Sequence, residues 1–280
     1  MIDRASPEAL FAVSGIAQYT GAVIAVNLFA DATPAAVTWL RVATAAIVVL
    51  VVSAPHWRRD WHGWTRPDIG HAAMFGLVTA AMNLCFYLAI DRIALGKSVV
   101  IEFVGPIAVA AALTRTLRNS IALVLAAVGV IVLSGVEIDS EPLGLLYIFG
   151  ASVFWALYII LGRRVARQSR GMAGLGLGLT VGALVLLPLG IGGSRALLSS
   201  WHLFGLVCLV GLLSTAVPYG IDQFVLRRIP MRRFAVLLAL LPVTAILVGW
   251  LGLDQRPTGV DLLGAALVIA GVTIQERDLI

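Results

Sequence analysis

Arg41 and Glu102 stand where a charge is least welcome, inside the apolar stretches VTWLRVATA (37–45) and SVVIEFVGPIAVA (98–110). A charged side chain near the centre of a bilayer costs at least about 2.5–3.5 kcal/mol on insertion scales, so such groups pair or line a watery cavity. Pro106 adds to this. A helix proline has no N–H for the carbonyl four residues earlier, which here belongs to Glu102, beside flexible Gly105. One residue thus offers a carboxylate and a freed backbone oxygen, tolerated at membrane depth only against protein or water. Pro242 repeats the bend late in the chain, and Pro218 frees the carbonyl of Ser214. The chemistry these groups suit is the binding of a polar solute or a proton. No nucleophile–base arrangement, phosphate loop or metal-ligand spacing accompanies them, so no enzyme, cofactor or metal is expected.

The elements that must position them are read from composition. Of 280 residues 60% are hydrophobic and only 12% charged, whereas soluble chains carry about a quarter charged. The apolar residues fall in blocks of about twenty, the length that crosses roughly 30 Å of hydrocarbon. Ten spans are read, at 9–29, 35–54, 69–90, 94–114, 119–136, 143–162, 173–191, 203–225, 233–253 and 258–275. The first is too long for a signal-peptide core and is kept as a span. The expected fold is an all-α membrane protein. The net charge of +5 does not indicate nucleic acid, because the arginines lie between blocks rather than along one stripe. Cys85 and Cys208 lie inside blocks and read as small buried hydrophobes, and the four histidines lie near block ends.

Cation placement gives the orientation. Ten spans put both termini and the even loops on one side, with fifteen arginines against four cations opposite and Arg41 within a span. Cations of short loops stay cytoplasmic, so both termini are expected there, in the inner membrane. A shift of 136 residues pairs Leu10-Phe11 with Leu146-Tyr147, Arg92-Ile93 with Arg228-Ile229, Pro106 with Pro242 and Gly135-Val136 with Gly271-Val272. Five spans per copy is odd, so the second copy enters inverted. The halves are taken as 1–137 and 138–280, and inverted repeats of this kind build secondary transporters with a site near the midplane.

In that frame Arg41 and Glu102 lie at similar depth, roughly 9–12 Å below the outer boundary. Equal depth and opposite charge suggest a pair. A structural salt bridge, a solute- or proton-binding role and separate water pockets all remain open. Asn83 returns to a similar level on the third span. Gln18 and Tyr19 lie mid-span in the first block, and the shift matches them with Phe154 and Trp155, with Tyr158 a turn beyond. Tyr87 and Tyr219 complete the candidate solute-binding set of Gln18, Tyr19, Asn83, Tyr87, Glu102, Trp155, Tyr158 and Tyr219. Asp222 lies five residues before Arg227 and reads as one half of a surface ion pair. Gly174, Gly178 and Gly182 mark close helix packing.

Three further stretches, MNLCFYLAI (82–90), ALGKSVVIEFVGPIAVA (94–110) and LSTAVPYGIDQ (213–223), resemble the drug/metabolite transporter superfamily, its EamA family and the threonine/homoserine exporter (RhtA-type) branch. VTWLRVATA fits as well, and the likeness runs end to end. The resemblance implies ten helices in two inverted five-helix repeats, a central cavity, and efflux of small amino acids or related metabolites by alternating access. Other cargo is the alternative: aromatic amino acids, cationic drugs or sugar-linked compounds, with a channel or scaffold behind these. Two departures stand out. Leu241 precedes Pro242 and Gln255 follows Asp254, where the branch commonly has glutamates. With no ATP-binding loop, a gradient must drive export, and Glu102, the one carboxylate read deep in a span, is the candidate proton carrier.

Overall fold

The computed structural model describes residues 6–60, 64–93, 95–134, 141–167, 171–244, 248 and 257–274, and among these there is no strand. Among the described residues six helices are long and apolar enough to cross a membrane: α1 (Pro7–Leu28), α2 (Pro34–Asp60, apolar to Ala54), α3 (Arg66–Ile90), α7 (Pro142–Arg167), α8 (Gly171–Gly190) and the continuous run Trp201–Arg228. Shorter helices are α4 (Leu95–Glu102), α5 (Val104–Leu113), α6 (Leu117–Ser134), α9 (Arg195–Ser199), α12 (Met231–Leu237) and α13 (Gly259–Ile274). The end of the segment read at 233–253, and Gln255, lie outside the described residues.

Local signals in the sequence start these helices. The Ser6 hydroxyl accepts the Ala9 N–H ahead of Pro7, and Thr65 forms a capping box with Asp68 ahead of Pro67. Prolines decide where helices break. The fourth segment is two helices rather than one bent rod, interrupted at Phe103, three residues before Pro106. In the run Trp201–Arg228 a π-turn, Leu212–Ala216, separates α10 (Trp201–Gly211) from α11 (Val217–Arg228) just ahead of Pro218. The wider turn lets the Val217 N–H reach the Leu212 carbonyl, so the ladder continues past the missing proline donor. Ahead of Pro242 the chain turns at Leu238 and Ala239, and the Leu241 N–H takes the Leu238 carbonyl at 2.9 Å.

Helices from opposite halves interleave. α2 packs on α8, α6 on α13, and α5 on α12; α3 lies against α7 and α8, while α1 and α2 lie against the α10–α11 run. Small residues permit the closest approaches. A Cβ on Gly76 of α3 would stand 1.9 Å from the Gly178 carbonyl oxygen of α8, and one on Gly182 3.0 Å from the Gly76 carbonyl oxygen. Gly178 and Gly182 therefore do the close packing read from their spacing. Outward faces stay apolar, as with Val51 and Leu184, each more than 60% exposed. That suits a chain whose surroundings are hydrocarbon.

Candidate functional site

The polar groups that the apolar blocks carry converge on one cavity. It lies among α1, α2, α3, α4, α7 and α11, closed on another side by Leu238 and Leu241. All eight residues of the candidate binding set line it: Gln18 and Tyr19 from α1, Asn83 and Tyr87 from α3, Glu102 from the end of α4, Trp155 and Tyr158 from α7, and Tyr219 from α11. Arg41 of α2 joins them.

Arg41 is 5% exposed and holds the best-connected position. Its Nη1 donates to the Tyr87 hydroxyl at 2.6 Å, and its Nη2 donates to Asn83 Oδ1. Its guanidinium carbon also sits 4.4 Å from the centroid of the Tyr87 ring. Asn83 is held in turn, its amide donating to the Thr79 carbonyl at 2.7 Å and its oxygen also accepting the Tyr219 hydroxyl at 3.0 Å. Tyr219 and Asn83 are 136 residues apart, the same separation as Pro106 and Pro242. The Arg41 Nε remains buried without a partner among the described residues.

Glu102 is different. It is 9% exposed, yet its carboxylate has no hydrogen-bond or ion-pair partner among the described residues. No Arg41 nitrogen comes within 4.0 Å of its oxygens. Arg41 and Glu102 share the cavity without touching, so of the readings left open by the sequence a contacting salt bridge is not what is seen. Equal depth fixed the level of both groups but not the direction each faces around its helix. Both groups line the space that the cavity encloses.

Aromatic rings wall this space. Phe103 and Trp155 meet edge-on at 4.9 Å, and the rings of Tyr158 and Tyr219 lie 5.3 Å apart. The Tyr158 hydroxyl donates to Asp222 Oδ2 at 2.7 Å, and Asp222, 6% exposed, lines the cavity. The surface-pair reading of Asp222 is therefore corrected. α11 continues to Arg228, and its inward face carries Tyr219, Asp222 and Gln223 together. The spacing of Tyr219 and Asp222, one helical turn, was the signal available in the sequence. Ser14 was not singled out and Ser214 only for its carbonyl; both line the cavity, the Ser214 hydroxyl donating from the π-turn to the Gln18 carbonyl at 3.1 Å.

The bend residues sit beside the site rather than in it. Gly105 owes its identity to contact: a Cβ there would lie 2.1 Å from the Ser152 carbonyl oxygen of α7. That close approach lets α5 pack on α7 and sets Glu102 at the cavity wall. Pro106 and Pro242 are buried, and with Pro218 each follows an irregular turn.

The chain resembles known transporters. Residues 142–275 match the EamA-like transporter family. Over 268 residues the chain is 32% identical to the threonine/homoserine exporter RhtA of Salmonella typhimurium, covering 93% of this chain and 87% of that one. Against the threonine/homoserine exporter RhtA of Escherichia coli strain K12 the identity is 32% over 263 residues, 92% and 88% of the two chains. A solved structure shares the fold with a TM-score of 0.74 at 17% identity, covering 95% of each chain. A helical, multi-pass architecture enclosing a polar cavity, and relatives matched along nearly the whole length, lead to one conclusion: this chain belongs to the EamA-like transporter family.

Proposed function

We propose that the protein is a secondary transporter of the inner membrane that exports small amino acids of the threonine and homoserine class by alternating access. One observation carries the reading. Arg41 and Glu102 line one cavity inside the helical bundle, each with unfilled valences among the described residues and without touching each other. A zwitterion supplies the missing partners for both, its carboxylate on the guanidinium and its ammonium on Glu102, in a setting where an unpaired charge is costly. Gln18, Tyr19, Asn83, Tyr87, Trp155, Tyr158 and Tyr219 would shape and orient the bound solute. The names of the relatives supply the solute class.

The architecture we propose is ten transmembrane helices in two inverted five-helix repeats, 1–137 and 138–280. Supporting it, helix contacts between the halves are mutual: α2 with α8, α5 with α12, α6 with α13, and α1 with α11 as α3 with α7. A two-fold relation produces such reciprocal pairs. We place both termini in the cytoplasm, following the cation bias. The ion pair of Glu8 with Arg233 at 2.6 Å and the bond from Arg118 Nε to the Ile274 carbonyl at 2.6 Å fit one common face. Export is driven by a gradient rather than chemistry, with Glu102 as the proton-coupling group and the turns ahead of Pro106, Pro218 and Pro242 as hinges. The protein is not an enzyme in this account.

The test is counterflow in proteoliposomes preloaded with threonine, homoserine, an aromatic amino acid or a cationic dye. Exchange fastest with threonine or homoserine upholds the proposal. Exchange confined to the aromatic amino acid or the dye, or passive leak of all four, overturns it.

A further inference from the structure

We propose that the same cavity takes a second class of solute, short diamino acids carrying one carboxylate and two ammonium groups. The inference depends on the transport reading only in that the cavity holds a solute; its content comes from charge. Among the described residues the cavity is lined by one cation, Arg41, and two carboxylates, Glu102 and Asp222. All three are more than 90% buried.

Their valences are only partly used. The Arg41 Nε has no partner, and the Glu102 carboxylate has none among the described residues. Among the described residues Asp222 accepts one bond, from the Tyr158 hydroxyl, where an ionised carboxylate offers about four acceptor sites. A neutral zwitterion satisfies Arg41 and one carboxylate and leaves the other without a cation. A diamino acid satisfies all three, and the loaded cavity then carries no net charge. Buried charge is stable when paired and hydrogen-bonded, so the second ammonium is the group this lining lacks.

The arrangement also orders the two ends of the solute. Arg41 reaches Asn83, Asn83 accepts from Tyr219, and the Tyr219 ring lies tilted 5.3 Å from that of Tyr158, which donates to Asp222. Asp222 thus ends the row of contacts that begins at Arg41. With the solute carboxylate on Arg41, Asp222 is the carboxylate left for a side-chain ammonium. 2,4-Diaminobutyrate has the chain length of homoserine, with an ammonium in place of the hydroxyl. If the Asp222–Tyr158 contact served only to join α11 to α7, its loss would slow every solute alike.

The experiment measures counterflow of labelled homoserine and labelled 2,4-diaminobutyrate in proteoliposomes, read as the ratio of their rates so that differences in insertion cancel. Wild type is expected to move both. Asp222→Asn should lower the diaminobutyrate-to-homoserine ratio roughly 10- to 100-fold, the effect of losing one charge-assisted contact. Asp222→Glu should keep the ratio above that of Asp222→Asn. Tyr158→Phe leaves the carboxylate in place and should retain most of the ratio. Wild type that moves homoserine but not diaminobutyrate overturns this inference alone, as does an unchanged ratio in Asp222→Asn. A Tyr158→Phe loss as large as that of Asp222→Asn overturns it too, since charge would not be the determinant. Wild type that moves diaminobutyrate but neither homoserine nor threonine upholds it and overturns the proposed solute class instead. Movement of no amino acid overturns both.

Discussion

Replacing Arg41 should destabilise the fold and replacing Glu102 should leave it nearly unchanged, while both have the same consequence for transport. Arg41→Met removes the bonds to the Tyr87 hydroxyl and Asn83 Oδ1. A hydrogen bond to a charged group contributes about 1.5–3 kcal/mol, so the two together suggest a loss of about 3–6 kcal/mol. The methionine keeps apolar contact with the Tyr87 ring, which places the loss toward the lower end. Glu102→Gln removes no direct partner, because none exists among the described residues. What it loses is attraction to Arg41 from beyond 4.0 Å. That is less than about 4 kcal/mol at an effective dielectric of 20, and below about 1 kcal/mol where water fills the cavity. What it gains is relief from a buried charge. The net change should fall within about 1 kcal/mol of wild type, and both variants should lose homoserine counterflow. The assay is equilibrium unfolding in mixed detergent micelles beside counterflow in liposomes. Destabilisation by Glu102→Gln equal to that by Arg41→Met would refute the reasoning and restore the structural salt bridge. The double variant should lose less stability than the sum of the singles, because each charge loses its counterpart; strict additivity would mean that their fields do not meet.

Three further outcomes are expected. A cysteine at Asp139 and a cysteine at Arg167 should label from opposite faces of intact cells, and labelling of both from outside would contradict the topology. Gly76→Ala should destabilise by about 1–3 kcal/mol or more, because its Cβ would meet the Gly178 carbonyl oxygen at 1.9 Å and backbone must yield; unfolding in micelles reads this, and an unchanged midpoint would refute the α3–α8 packing. Pro218→Ala restores a backbone donor beside the π-turn, so it should slow counterflow several-fold while leaving stability equal or higher. A full rate would remove this turn from the gating scheme.

How far the site was legible depended on contrast. Arg41, Glu102 and Asn83 stood out because hydrocarbon excludes their side chains, and the 136-residue shift brought Trp155 into view through Tyr19. Asp222 failed by the same logic. Beside Arg227 and Arg228 it looked like the end of a span, although α11 continues past it and turns it inward. Partner choice was not legible either. Depth along a helix follows from rise per residue, but whether Arg41 bonds to Glu102 or to Tyr87 depends on rotation about α2 and on rotamers set by neighbouring helices. In the backbone, proline located the irregular turns within three to six residues. Its position did not say whether the helix would break, as at Phe103, or widen into a π-turn, as at Leu212–Ala216. That outcome depends on what packs against each turn, as the Gly105 approach to Ser152 illustrates.

The central claim is that the cavity grips both charges of a zwitterion, the carboxylate through Arg41 and the ammonium through Glu102. Competition against labelled homoserine by two truncated relatives tests it most directly: 3-amino-1-propanol, which lacks the carboxylate, and 4-hydroxybutanoate, which lacks the ammonium. The account predicts that unlabelled homoserine competes and that neither relative does at a tenfold higher concentration, roughly the least that losing a charge-assisted contact should cost. Competition by either relative at the concentration where homoserine competes would contradict it.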